Sequence, residues 1–338
     1  MKTPLLGKNL EEINKLLFEL IGNKDQSKGI AISIYKRNIS SFQEINSIPL
    51  KLRKILEEKF SSGKYLPIDT VHSIDSTVKY LFQNEAKQRF ETVYMPSLKR
   101  NTLCVSTQSG CRMGCSFCIT GKIGFKGNLS TLDILNQYLI IPEWKKVNRI
   151  VLMGMGEPFD NYDIVEKAVK ILTSQWGCSF GASNITISTI GIFDQLERFL
   201  EKPFCNLAIS LHSPFSEERQ LLMVIEKTNP IAEIIELLKK KPIQKPLRLS
   251  FEYVALGGIN TSKKHANAIS ELLSGLKYHL NIICWNKHEG SMYNSPTELE
   301  LKAFISCLNK NGVLTTVRES RGQDIEAACG QMAGKIEI

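Results

Sequence analysis

The chain has 338 residues, 43% hydrophobic and 23% charged, enough for one large domain plus a smaller one and too apolar for wholesale disorder. Its 43 Lys and Arg against 34 Asp and Glu leave a net charge of +9, compatible with an acidic partner such as RNA but not demanding one. No apolar run approaches the roughly 18 residues of a membrane span. Lys8 interrupts any signal-peptide core. The expectation is therefore a cytoplasmic protein with reduced thiols and no membrane partner.

Residues 11–22, EEINKLLFELIG, place Ile13, Leu16, Leu17, Leu20 and Ile21 on one helical face. A second amphipathic segment, IPLKLRKILEEKF, covers 48–60. Residues 1–60 hold eleven Lys or Arg against seven Asp or Glu, so residues 1–64 read as a small, basic, helical domain. Residues 65–97 carry short β-like runs, TVKYLF and FETVYMP, and read as a strand-rich bridge.

From Leu103 the pattern changes. Apolar runs (TLCVST, RIVLMGM, NITISTI, CNLAISL, LRLSFEYVAL, LNIICW, VLTTVRES) alternate with helical stretches such as 130–141, opened by a Ser130/Asp133 capping box. Strand and helix in alternation predict an α/β fold with a parallel sheet over 98–338. The pattern leaves barrel and doubly wound sheet both open.

Directly after the first of these strands, SGCRMGCSFCITGKIGF places Cys111, Cys115 and Cys118 within eight positions, among glycines that let the backbone wrap a bound object. Structural zinc takes four ligands, and no His lies between His72 and His212. Three thiolates suit instead a cubane iron–sulfur cluster whose fourth iron stays open for a ligand. Zinc remains the competing reading. The strand ends that follow carry Gly156 and Glu157 in MGMGEPF, Ser188, Ser210 with Leu211 and His212, and Asn286 in WN. Sites in parallel α/β folds form at the carboxyl ends of strands.

The spacing C-x3-C-x2-C with Phe117 before the last Cys resembles the radical S-adenosylmethionine (SAM) superfamily. FETVYMP, TLCVSTQSGCRMGCSFCITGKIGF, MGMGEP, ISTIGI, SLHSP, ICWN and RGQDIEAACGQMAG together resemble the adenine C2 methyltransferases of ribosomal and transfer RNA, over nearly the whole chain. That resemblance implies a partial (β/α) barrel holding one [4Fe–4S] cluster on Cys111, Cys115 and Cys118. It also implies SAM, two per turnover, contacted by Gly156, Glu157, Ser188, Ser210, Leu211, His212 and Asn286. Cys329, in a C-terminal loop, would become S-methylcysteine, lose a hydrogen to the cofactor-derived radical, and add to C2 of the adenine as a covalent adduct. Glu91 would remove the C2 proton. Cys104 would attack the sulfur of Cys329, freeing the RNA and leaving a disulfide.

The implied partners are 23S rRNA at the peptidyl-transferase region, tRNA at the adenosine 3′ of the anticodon, and an electron donor such as flavodoxin or ferredoxin. The implied state is a monomer. The alternatives are an adenine C8 methyltransferase, a radical activase of a protein partner, and a non-catalytic iron–sulfur RNA-binding protein. Three departures stand out. Val224 and Glu226 replace an expected Pro and Asn, Cys284 and Lys287 replace prolines, and GIAISIY (29–35) lacks the usual Arg and Gln.

Overall fold

The computed structural model describes residues 2–22, 24–287 and 290–332. Ten strands make one sheet: β1 (Asp69–His72), β2 (Val78–Gln83), β3 (Arg89–Met95), β4 (Thr102–Cys104), β5 (Arg149–Leu152), β6 (Ile185–Thr189), β7 (Asn206–Ser210), β8 (Leu249–Ala255), β9 (His279–Cys284) and β10 (Thr315–Arg318). β1 to β4 pair antiparallel, and β4 to β10 pair parallel, each with its successor in the chain. A doubly wound sheet reverses its strand order at a switch point. This one never does, and β1 and β10 remain its two unpaired ends. The architecture is the partial barrel, with an antiparallel extension on its first edge.

The parallel strands bury an apolar face, with Ile187, Leu207, Ile209, Phe251, Tyr253 and Ile282 in the core under the covering helices, and turn a more polar face to the interior. Helices Thr131–Leu139, Tyr162–Thr173, Phe193–Glu201, Ile231–Lys240, Lys263–Leu272 and Glu298–Lys310 fill the successive crossovers. The first begins as its sequence dictates: Ser130 Oγ accepts from the Asp133 amide, and the Asp133 carboxylate accepts from the Ser130 amide.

Ahead of the sheet lie α1 (Leu10–Ile21), α2 (Ser27–Tyr35) and α3 (Leu50–Lys59). α1 is capped by Asn9 and Glu12 and buries Ile13 and Leu17. Glu12 reaches across to Lys167 at 2.7 Å, and Asn38 donates to the Leu139 carbonyl. The apolar core runs without interruption from these helices into the barrel. No helix among the described residues is long and apolar enough to cross a membrane.

Candidate active site

The segment after β4 turns back under Gly110, whose φ of +70° suits glycine and where a Cβ would stand 1.8 Å from the Gly124 carbonyl. Cys111, Cys115 and Cys118 then line a common cavity at the carboxyl ends of the strands. The loop is pinned from three sides. Ser116 N–H donates to the Leu222 carbonyl, Trp285 Nε1–H to the Phe117 carbonyl, and Ile119 N–H to the Gly330 carbonyl. Burial raises the thiols of Cys111, to about 12, and Cys115, and the nearby Cys118 raises both further. Ionising them together calls for a strongly cationic partner.

Gly156, Glu157, Ser188, Ser210 and His212 line the same cavity, contributed by the ends of β5, β6 and β7. Gly156, with φ of +100°, lies against Gln108, where a Cβ would approach within 2.5 Å. Glu157 is buried, and its two oxygens accept from the Phe159 amide at 2.9 Å and the Ile190 amide at 3.0 Å. Burial pushes its carboxyl up to about 7. His212 is held at φ +56° and its Nδ1 accepts from the Val254 amide at 3.0 Å, so the neutral ring carries its proton on Nε2. Burial, aided by the Arg219 cation, pushes this imidazole down to about 3.

Two expected cofactor residues stand apart. Ser210 and His212 share one face of the chain, so the side chain of Leu211 points away into the core, fully buried. Asn286 does not line the cavity. Its amide instead clamps the C-terminal loop, donating to the Cys329 carbonyl at 3.2 Å and accepting from Gln323 at 2.8 Å.

Cys329 lines this cavity and also a second one of about 370 Å³, which holds Cys104, Arg100, Arg318 and Arg321. Met153 and Ile283 complete the shared wall. The exposed surface of Cys329 therefore faces cavities at the heart of the fold. Cys104 is buried on β4 between Val93 and Val151, close enough for its thiol to feel the charge of Cys329. Burial raises both thiols, and Arg318 opposes that rise in each. Both are free thiols here. The loop bearing Cys329 is tied to the β1–β2 turn: Ser73 Oγ and the Ile74 amide donate to Asp324, and the Gly322 amide donates to Asp75.

Glu91, on β3, lines neither cavity. It is buried and ion-paired with Lys79 at 3.5 Å, and Lys79 donates to the Glu326 carbonyl in the Cys329 loop. Two buried charges escaped the sequence reading. Arg219 pairs with Glu226 and donates to the carbonyls of Leu211, Ile190 and Ser210, bracing the ends of β6 and β7. Glu252 lines the cavity of the three cysteines from β8. A charge inside a strand flanked by Phe251 and Tyr253 was the available signal.

Comparison with known proteins agrees with this geometry. Residues 105–266 match the radical SAM superfamily profile. A protein of Phocaeicola vulgatus named "Probable dual-specificity RNA methyltransferase RlmN" is 42% identical over 98% of this chain and 95% of its own. A Geobacter sulfurreducens protein named "Dual-specificity RNA methyltransferase RlmN" is 35% identical over 98% of this chain and 92% of its own. The crystal structure of a radical SAM methyltransferase from Sphaerobacter thermophilus superposes with a TM-score of 0.92, at 33% identity, covering 98% of this chain and all of that one.

The radical SAM family brings a [4Fe–4S] cluster and SAM. The donor set fits both. Three cysteines line one cavity together with Gly156, Glu157, Ser188, Ser210 and His212. Among the described residues, no three His, Cys, Asp or Glu side chains converge on one point, as ligands of a single metal ion would. Cubane thiolates need not, since each takes a different iron. The chain belongs to the dual-specificity RNA methyltransferase family of the radical SAM superfamily.

Proposed function

We propose that this enzyme methylates C2 of adenosine in 23S rRNA, at the peptidyl-transferase region, and in tRNA, at the adenosine 3′ of the anticodon. The observation that carries the reading is the position of Cys329 on the wall between two cavities, the cluster thiols on one side and Cys104 on the other. A single sulfur there can take a methyl group from one cavity and present it to a base in the other. The base must be unstacked to enter, which single-stranded RNA loops permit.

Cys111, Cys115 and Cys118 hold the cluster, and Gly156, Glu157, Ser188, Ser210 and His212 bind SAM. When bound, the pair supplies a radical able to take hydrogen from an S-methyl group. Neutral His212 presents an Nε2–H donor to the cavity, and Glu157 an acceptor. Asn286 fixes the loop from which Cys329 reaches the base. Glu91, charge-balanced by Lys79, takes the C2 proton once the loop and RNA are in place. Cys104 would then attack the sulfur of Cys329, its thiol proton completing the methyl group while the unpaired electron passes to the oxidised cluster that the three cysteines would hold, so the RNA leaves methylated and the two cysteines leave as a disulfide, which a reductant must reopen. Arg100, Arg318 and Arg321 in the second cavity suit the RNA phosphates. The basic helices of residues 1–64 extend that surface, the enzyme works as a cytoplasmic monomer, and a flavodoxin or ferredoxin supplies electrons.

The test is mass spectrometry of nucleosides from separated rRNA and tRNA, with and without an active copy of the gene. A gain of 2-methyladenosine supports the reading, and the fraction carrying it names the RNA. 8-Methyladenosine would move the chain to the C8 branch. Neither product, from cluster-loaded protein, would overturn the substrate assignment.

A further inference from the structure

Glu252 is a carboxylate at the centre of β8 with 3% of its surface exposed. Its Oε1 is fully engaged, accepting from Asn281 Nδ2 at 2.8 Å on β9, from Arg318 Nη2 at 3.3 Å on β10, and from Ser250 Oγ at 3.2 Å. Its Oε2 is buried and has no donor. A buried acceptor left without a partner is costly, and more so when it carries charge. The residue nevertheless lines the cofactor cavity, between Ser210 on β7 and Ile283 on β9. Strand register explains the cluster: Glu252 is level with Asn281, Asn281 with Thr316, and Arg318 follows two residues on, so all point to the barrel interior.

We propose that Glu252 is a cofactor-contacting residue whose Oε2 accepts a hydrogen bond from the nucleoside part of SAM, with Asn281 and Arg318 as the positioning residues that hold it. This rests on the reading of the cavity as the SAM site. The family resemblance implies that the amino and carboxylate groups of the cofactor meet the open iron, with Glu157 accepting from the amino group, so the donors that remain are the 2′- and 3′-hydroxyls and the 6-amino group. All three are neutral donors that a carboxylate accepts well. Arg318 adds a second consequence. Its Nη1 stands 3.4 Å from the sulfur of Met153 on the shared wall, and it also lines the cavity of Cys104. Arg318 thus links Glu252 to the second cavity, and a substitution there should be read at Glu252.

The experiment is calorimetric titration of S-adenosylhomocysteine into cluster-loaded wild-type, Glu252→Gln and Arg318→Gln proteins. S-Adenosylhomocysteine analogues lacking the 2′-hydroxyl, the 3′-hydroxyl or the 6-amino group are titrated alongside. Glu252→Gln is expected to weaken binding about tenfold or more, the loss of one charge-assisted hydrogen bond. Arg318→Gln is expected to weaken it several-fold although it faces the other cavity. One analogue should bind wild type about as poorly as the parent binds Glu252→Gln, and should lose little more on that variant. Equal binding to wild type and Glu252→Gln, with Glu157→Ala still defective, overturns this inference alone. No binding to wild type overturns the cofactor placement and this inference together. Should Glu252→Gln fail to fold, the analogue series on wild type decides, and three analogues within twofold of the parent would overturn the contact.

Discussion

The guanidinium of Arg219, with no exposed surface, is paired with the carboxylate of Glu226, itself 2% exposed. Glu226 stands where the family resemblance led us to expect Asn, so this chain braces its cofactor-site strands with a buried ion pair. Glu226 Oε2 also accepts from the Ile231 amide, starting the next helix, while Oε1 is buried without a partner. Removing one member of a buried pair strands the other. Glu226→Ala is expected to cost about 3–5 kcal/mol in denaturant unfolding. Glu226→Asn keeps an acceptor and should cost clearly less. Equal losses for the two variants would show that the charge, and not the hydrogen bond, is what Arg219 requires.

Glu157 contributes a falling branch to the pH dependence of stability. Burial raises its carboxyl from 4.5 to about 7. Between those values the folded chain keeps a proton that the unfolded chain has lost, so stability falls as pH rises through that window. Glu157→Gln removes the ionisation. The variant should match wild type at pH 4.5 and exceed it at pH 8 by up to about 3 kcal/mol, measured on cluster-free protein. A wild type whose difference from the variant does not change between these two pH values would contradict the assignment.

The loop carrying Cys329 should be held by the β1–β2 turn more than by its own packing. Asp324 accepts from Ser73 and from the Ile74 amide, and the Ser73 hydrogen bond is the first reason its carboxyl lies below the ordinary range. Asp324→Ala is expected to increase hydrogen exchange across residues 320–332 while leaving the barrel strands protected. Exchange that rises everywhere would mean that Asp324 supports the whole fold.

Much of this was legible in the sequence because it is local. The thiol spacing, the strand-end glycines and the Ser130/Asp133 cap each lie within a few residues, and the alternation of runs located all seven parallel strands. What pattern left open was closure. Only the strict chain order of pairing separates a partial barrel from a doubly wound sheet. α2 was not read because Ile30, Ile32 and Ile34 alternate like a strand, and burial in the shared core decides the matter. The Glu91–Lys79 pair is diagonal across β2 and β3, so it depends on register. Glu252 and Arg318 lie two strands apart in the sheet and 66 residues apart in the chain.

Cys329 on the shared wall and Cys104 in the second cavity make the sharpest separation of roles. If Cys329 carries the methyl group, Cys329→Ala has no sulfur to load and should lose methylation completely, with no adduct. If Cys104 only resolves the intermediate, Cys104→Ala should still load Cys329 and still add it to the adenine. The reaction would then stop with RNA bound to protein. Because Cys104 is a small buried side chain, its truncation should cost stability only modestly, about 1 kcal/mol, and not obscure the result. Denaturing gels of labelled RNA incubated with cluster-loaded variants distinguish the cases. A shifted, protease-sensitive band is expected with Cys104→Ala alone, and it should disappear in the double variant. Normal turnover by Cys104→Ala without a shifted band would refute the two-cysteine scheme, because Cys329 would then be releasing its product by another route.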